Sequence, residues 1–259
     1  MKKILCALLS AAMLLSMCAC SSKKESSDFV VGITYFEPMN YFDENGELIG
    51  FETEFTKAVC EKMGKNPVFQ EIEWEKKELE LNSHTIDAIW NGLTVTEERK
   101  QNMAFSTSYI RNRQVAVINS ANADKFTDIA SMTGIKVAAE SGSAGQDAIE
   151  ANDVLNADEF VGCAAQKDVL LELKAGTVDV GVMDYVMAKA SIGEDTDYND
   201  LIIVEGVDLM PEEYAVGLRL DDTNTLEAVN KAIAEMVEDG SLLALCEKYD
   251  LADVYAFAD

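Results

Sequence analysis

The apolar positions of this chain follow two alternating periods. Residues 29–33 form a short apolar run around Gly32, which reads as a buried strand. A polar turn, Asp43-Glu44-Asn45-Gly46, comes next. Phe51, Phe55, Val59 and Met63 then recur at helical spacing, and Gly64 is placed to end that helix. Residues 68–72 read as a strand, 75–81 as a short helix and 86–89 as a further strand. Residues 114–118 add another strand. The alternation then restarts with a strand at 135–139, a turn at Ser141-Gly142-Ser143, a helix from about Ala144 and a strand around 178–180. Strands alternating with helices predict an α/β protein whose sheets carry helices on both faces.

An internal echo divides this alternation into two units. Leu79-Glu80-Leu81-Asn82-Ser83-His84-Thr85-Ile86-Asp87-Ala88 aligns without a gap on Leu171-Glu172-Leu173-Lys174-Ala175-Gly176-Thr177-Val178-Asp179-Val180. In each copy a helix ends, a turn follows and a strand carries one Asp. His84 stands where the second copy has Gly176, which predicts a helix end with positive φ and a structural role for the chain's single histidine. In the same register Gly92 corresponds to Asp184, so both fall at the carboxyl end of a strand. Ligands of open α/β sheets bind there, and two facing units would bring the two turns to one cleft.

The first of those turns is the richest in chemistry. After Trp90 come Asn91 and Gly92, where a backbone can approach a ligand closely. Then come the Thr94 hydroxyl and, past Thr96-Glu97-Glu98, the planar cation of Arg99. Thr96 followed by two acids predicts a helix start. A zwitterion would find complementary groups in such a cleft. Arg99 can grip a carboxylate through two parallel hydrogen bonds, helped by N–H groups of the turn through Ser143 and Ala144. Asp184 can accept from an ammonium, joined by the Thr94 hydroxyl and the Gly92 carbonyl. Trp74, Trp90, Tyr35 and Phe36 offer flat apolar walls. The plainer alternatives are that Asp184 only caps a helix and that Trp74 or Trp90 belongs to the core.

The chain's start has a different character. Lys2 and Lys3 precede an apolar stretch, residues 4–17, too short to span a bilayer, and then Met17-Cys18-Ala19-Cys20. This resembles a bacterial lipoprotein signal with cleavage before Cys20, which suits the motif better than Cys18 because Ala19 precedes it. An ordinary secretory signal is the alternative. Residues 21–28 are a polar tether. With 259 residues, 48% hydrophobic and 26% charged, the remainder can form one large or two ordinary domains. A net charge of −26 argues against nucleic acid as a partner. Cys60, Cys163 and Cys246 are scattered; Cys60 and Cys246 fall in helical patterns and are expected to pack as small apolar residues. With His84 alone, neither a zinc site nor any other metal or cofactor is expected.

A resemblance ties these pieces together. The markers Gly50-Phe51-Glu52-Thr53-Glu54-Phe55, Ile86-Asp87-Ala88-Ile89 and Gly92-Leu93-Thr94-Val95-Thr96-Glu97-Glu98-Arg99 are followed by Phe105-Ser106, Tyr109, Gly142-Ser143 and Asp184. Asn230-Lys231-Ala232 and Asp239-Gly240 complete a pattern over residues 29–250 that resembles the family 3 extracellular solute-binding proteins, lipid-anchored receptors of amino-acid ABC importers.

The resemblance implies a type II periplasmic-binding-protein fold, two α/β lobes joined by two hinge strands. Lobe I would be residues 29–112 plus 213–259 and lobe II residues 113–212, with hinges near 114–117 and 214–217. It implies that Arg99 holds the α-carboxylate of a free amino acid, Asp184 its α-ammonium, and Trp74 its side chain. It also implies an ABC permease as partner, a monomeric receptor outside the cytoplasm, no catalysis, and membrane contact through the lipid anchor only.

One departure is that Ile33-Thr34-Tyr35-Phe36 follows the first-strand Gly where the family often has an acid, so either Tyr35 or Phe36 faces the ligand. The position of Glu140 reaches the distal part of the ligand in the family. An acid there favours a cationic amino acid, with glutamine and cystine still open, unless Glu140 points to solvent. Two other classes share the fold. A cyclohexadienyl dehydratase-like lyase would need a poised acid or base. A sensory module is normally fused to a membrane-spanning signalling domain.

Overall fold

A computed structural model describes residues 27–157 and 159–258; the signal segment, Cys20 and the tether up to residue 26 lie outside the described residues. Strand β1 (Asp28–Ile33) is followed by a hairpin of β2 (Tyr41–Phe42) and β3 (Leu48–Ile49). The expected turn closes this hairpin, with the Asp43 carboxylate accepting from the N–H groups of Asn45 and Glu47 at 2.9 and 2.8 Å. Helix α1 (Phe51–Met63) buries Phe51, Phe55, Val59 and Cys60 and ends at Gly64, whose φ of 67° no side chain disfavours. Then come β4 (Asn66–Glu71), a 3-10 turn at Trp74–Lys76, α2 (Lys77–Asn82), β5 (Ala88–Ile89), β6 (Ala104–Phe105) and the long β7 (Ile110–Asn119).

The second half repeats the scheme with β8 (Lys136–Glu140), α3 (Ala144–Glu150), β9 (Glu159–Cys163), α4 (Gln166–Ala175), β10 (Val180–Asp184) and α5 (Tyr185–Ser191). A second long strand, β11 (Leu201–Tyr214), precedes β12 (Gly217–Leu218), α6 (Thr223–Glu238) and α7 (Ser241–Lys248). The strands assemble into two five-stranded sheets, ordered β4-β1-β5-β12-β6 and β11-β7-β10-β8-β9. Each has a parallel core, β4-β1-β5 and β10-β8-β9, extended by antiparallel strands. This is the two-sheet α/β architecture expected of a type II periplasmic-binding fold.

The echo is visible in three dimensions. Asp87 and Asp179 stand just ahead of β5 and β10, and each carboxylate accepts from a backbone N–H of the neighbouring parallel strand, β1 or β8. Asp87 takes the Val30 N–H and Asp179 the Lys136 N–H, both at 3.0 Å. The strand expected at 178–180 therefore begins at Val180, with its Asp outside it. His84 and Gly176 have φ of 61° and 68°, as their alignment predicts.

Two chain crossings connect the sheets. β7 and β11 pair antiparallel from Ile110–Tyr214 to Asn119–Leu201. The pairing continues toward the first sheet through Tyr109 N–H to Tyr214 C=O and Ser106 N–H to Val216 C=O, both 3.0 Å. Residues 114–117 lie inside the second sheet, against β10. The crossing on that side therefore falls nearer 106–110.

The helix expected from Thr96 is one 3-10 turn, Arg99–Gln101. Its N-cap is Glu98 rather than Thr96, although the Thr96 hydroxyl accepts from the Arg99 N–H at 3.1 Å, and the chain must straighten by Ala104 so that β6 can pair with β12. Trp90 belongs to the core: it is fully buried and meets the Phe55 ring edge-on at 5.1 Å.

Candidate functional site

Facing ends of the two sheets meet at Gly142. Its carbonyl accepts from Lys77 Nζ at 2.8 Å and from Arg99 Nη2 at 3.3 Å, so two cations of the first sheet's loops sit on a turn of the second. Gly142 has φ 69°, and a Cβ there would stand 3.2 Å from Glu75 Cα, so only glycine allows this approach without strain. Arg99 is 6% exposed; Nη1 donates to the Thr94 carbonyl at 3.0 Å, and Asp147 lies 3.7 Å away. Burial, reinforced by Arg99, pulls the Lys77 ammonium down to about 8. Lys77 also lies over the Trp74 ring at 4.8 Å, and Trp74 is itself buried beside Ile72, Leu81 and Ile86.

The turn leading into α3 is largely self-satisfied. Ser143 Oγ accepts from the N–H groups of Gly145 and Gln146 at 3.1 and 3.2 Å, Gly142 N–H donates to Gln146 Oε1, and Ser143 N–H donates to Glu140 C=O. The Ala144 N–H takes part in none of these bonds.

Asp184 ends β10 and starts α5, yet makes no side-chain cap. Its carboxylate, in a residue 4% exposed, accepts from Asn112 Nδ2 at 3.0 Å, from Gln114 Nε2 at 2.5 Å and from Gln166 Nε2. Glu212 of β11 lies beside it. Glu212 Oε2 accepts from the Thr94 hydroxyl at 2.9 Å, and Oε1 accepts from Gln114 Nε2 at 2.9 Å and from Asn112 Nδ2. Burial, then the neighbouring Asp184 charge, pushes the Glu212 carboxyl well above the usual carboxylate range.

On the first sheet's side, Gly92 has φ 56°, and its N–H donates to both oxygens of the buried Glu52 at 2.8 and 3.0 Å. Tyr109 OH also donates to Glu52, whose carboxyl burial raises to about 7. Asn91 is locked from both ends, donating to Thr34 Oγ1 at 2.6 Å and accepting from Asn40 Nδ2 at 2.8 Å. Phe36 is buried close against Gly92, whereas Tyr35 is half-buried against Phe42 with ring centroids 4.9 Å apart. Both line a cavity of about 330 Å³ between the hairpin and the second sheet's helices, with Leu170, Met187 and Tyr198 opposite.

Glu140 does not point to solvent. It is 3% exposed, Oε1 has no hydrogen-bond partner, and burial together with Asp184 raises its carboxyl to about 8 against the pull of Lys77. The sequence reading passed over Lys77, Asn112, Gln114, Gln166 and Glu212. A signal was present for Asn112 and Gln114: alternation along β7 puts them on the same buried face as Ile110. Among the described residues, no group of three His, Cys, Asp or Glu is placed to hold a metal ion, and no helix is long and apolar enough to cross a membrane.

The arrangement sets a buried guanidinium on a turn of the first sheet and a buried pair of carboxyls on strands of the second. Comparison with known proteins gives the chain's relatives. The model of the bacterial extracellular solute-binding proteins, family 3, matches residues 29–252. The L-cystine-binding protein TcyJ of Escherichia coli (strain K12) is 29% identical over 236 residues, 89% of this chain and 85% of that protein. A solved substrate-binding protein of an ABC uptake transporter from Streptococcus pneumoniae, with bound histidine, is 31% identical with a TM-score of 0.79, covering 89% of this chain and 95% of its own. An ancestral arginine-binding protein bound to arginine is 30% identical with a TM-score of 0.80, covering 86% and 98%.

Proposed function

The chain belongs to the bacterial extracellular solute-binding proteins of family 3, and from that premise we propose that it is the receptor of an ABC importer for a polar amino acid held between its two sheets. The family and the relatives above are binding proteins rather than enzymes. The observation that carries the reading is the burial of Arg99 and Asp184 on facing turns of different sheets. Arg99 takes the α-carboxylate with help from the Ser143–Ala144 turn, and Asp184 takes the α-ammonium with Thr94 and the Gly92 carbonyl. Asn91 braces the Gly92 turn. Trp74, Tyr35 and Phe36 wall the side-chain compartment. Residues 29–112 with 213–259 form one lobe and residues 113–212 the other, closing about the crossing strands. The receptor works as a monomer beside its permease.

The buried Glu140 selects the ligand. An unpartnered oxygen in that position calls for a hydrogen-bond donor or a positive charge at the far end of the side chain. Arginine, lysine, ornithine and histidine satisfy it, glutamine and cystine can donate to it, and glutamate and aspartate bring neither a donor nor a positive charge. Relatives named for cystine, histidine and arginine fall within that range. The test is a thermal-shift screen of free amino acids, in which a ligand at 100 times its dissociation constant stabilises by about 2.7 kcal/mol. Cationic or donor-bearing amino acids are expected to give the largest shifts, and Glu140→Gln to lower cationic ligands relative to neutral ones. A preference for glutamate or aspartate, or an unchanged ranking in the variant, refutes the role of Glu140; no shift with any amino acid refutes the receptor.

The lipid anchor is a separate proposal. Cys20, preceded by Ala19, becomes the lipidated N-terminus and tethers the receptor outside the cell membrane through residues 21–28. Cys20→Ala is then expected to release the protein from the membrane fraction. Its retention there at the wild-type level overturns the anchor.

A further inference from the structure

Asp184 and Glu212 come from strands that are not adjacent; β7 lies between them. Asn112 and Gln114 of that strand bind both acids through the same amide nitrogens: Asn112 Nδ2 and Gln114 Nε2 each reach Asp184 Oδ1 and Glu212 Oε1. Shared donors of this kind hold the two carboxyls close together. Two carboxylates so close in a buried site do not both ionise, and one of them keeps a proton. The side-chain donors to Asp184 are the amides of Asn112, Gln114 and Gln166, whereas the third partner of Glu212 is the Thr94 hydroxyl, which can turn to accept a proton as well as donate one, so the proton belongs on Glu212.

Thr94 and Asp184 are the groups to which the receptor reading gives the ligand's ammonium, and Glu212 is bonded to one and adjoins the other. Two buried acceptors border this cluster without partners: Gln114 Oε1, beside the first turn of α3, and Glu140 Oε1. Resting on the receptor reading, we propose that Glu212 is a further ligand-binding group that receives the ammonium jointly with Asp184 and releases its own proton as it does so. Balanced, a Glu212 carboxylic acid and an ammonium become a carboxylate–ammonium pair, and one proton passes to solvent. Arriving positive charge replaces the proton as the partner of the second carboxylate, so the pair is neutralised in a new way rather than left bare.

The charged and titratable surroundings are compatible with this exchange. From β10 the facing group is Asp184, and from β11 it is Tyr214, whose OH accepts from Asn112 at 2.6 Å and whose own ionisation burial and Asp184 push well up. Glu52 of α1 and Glu140 of β8 feel the Asp184 charge, and both are themselves raised by burial. Arg99 and Lys77 are bonded to the Gly142 carbonyl, and neither makes an ion pair with Glu212.

The experiment is calorimetry at pH 7 in two buffers of different ionisation enthalpy. It uses whichever standard amino acid, ornithine or cystine gives the largest thermal shift. Because the Glu140 carboxyl is raised as well, the reading is a difference: wild type is expected to release close to one proton per ligand more than Glu212→Gln, and its affinity to rise with pH more steeply by about ten-fold per pH unit between roughly pH 6 and 8. Glu212→Gln is therefore expected to release about one proton fewer than wild type, to lose that extra slope, and to bind about ten-fold or more weakly at the alkaline end. Glu212→Asp, which keeps an acid there, should keep the proton release at lower affinity, and it decides the matter if Glu212→Gln does not fold. Normal binding by wild type without proton release, or as much release by Glu212→Gln as by wild type, overturns the proposal while leaving the receptor intact. If none of the probes binds, the receptor reading falls and this inference with it.

Discussion

Arg99→Ala and Asp184→Ala are each expected to lower amino-acid affinity by roughly thirty-fold to several thousand-fold. Truncating one partner of a buried, hydrogen-bonded charge pair costs about 2–5 kcal/mol, because the group left behind stays desolvated and unpaired. Both residues meet the condition, at 6% and 4% exposure. The two losses differ in origin. Arg99 also joins the sheets, through the Thr94 carbonyl on one side and the Gly142 carbonyl on the other, so its removal weakens closure as well as carboxylate recognition. Arg99→Lys keeps the charge but not the planar fork, and should recover only part of the affinity. Asp184→Ala leaves the amides of Asn112, Gln114 and Gln166 without their common acceptor. Calorimetry with the preferred amino acid is the measurement, and near-native affinity in both alanine variants would refute the charge clamp.

The largest effect on stability is expected at Glu52. Its carboxyl lies wholly inside the first lobe and gathers the Gly92 N–H, the Tyr109 hydroxyl and Asn40 Nδ2. Glu52→Ala strands a buried N–H and a buried hydroxyl, at about 1–3 kcal/mol each, and leaves a cavity. A total of about 3–6 kcal/mol is a large part of the 5–15 kcal/mol that holds a typical domain together. It also frees the Gly92 turn from which Thr94 and Arg99 are presented. Glu52→Gln keeps the volume and an acceptor and should recover most of the loss.

A pH dependence accompanies this residue. Burial raises the Glu52 carboxyl to about 7, so its stabilising contribution is complete below the ordinary value near 4.5 and falls away as pH climbs from there to about 7. Wild type without ligand should therefore lose stability across that window, and Glu52→Gln should show a shallower loss. Denaturant melts at pH 5 and pH 7.5 read both effects. An alanine variant that unfolds at the wild-type midpoint would remove Glu52 from the architecture of the site.

Periodicity and local chemistry carried much of this molecule. The spacing of Phe51, Phe55 and Val59 ahead of Gly64 is sufficient for α1, because a helix buries one stripe whatever it packs against. The positive φ of His84 followed from its alignment with Gly176, since a helix end imposes the same backbone on both copies. Asp87 and Asp179 were visible as a repeated pair, and the structure gives each the corresponding strand of its own sheet to bond, β1 and β8. Arg99, Thr94 and Asp184 could be singled out because turns at strand ends are local features with recognisable residues.

Partners and burial were beyond the sequence, because they depend on which strands lie side by side. Glu212 and Thr94 are separated by more than a hundred residues and meet only because β11 returns along β7. The single 3-10 turn at Arg99, where a helix was expected, is a tertiary decision: β12 requires β6 to start at Ala104, and a local bond to the Thr96 hydroxyl cannot outweigh a sheet pairing. Trp90 and Trp74 look alike as isolated aromatics and both are buried, but the first packs against Phe55 while the second, among Ile72, Leu81 and Ile86, also carries Lys77 on its face. Glu140 could face solvent or cleft on sequence grounds alone. Its place at the end of β8, paired there with Cys163 of β9, decided for the interior, where a carboxyl lacking a full set of partners is costly and therefore informative.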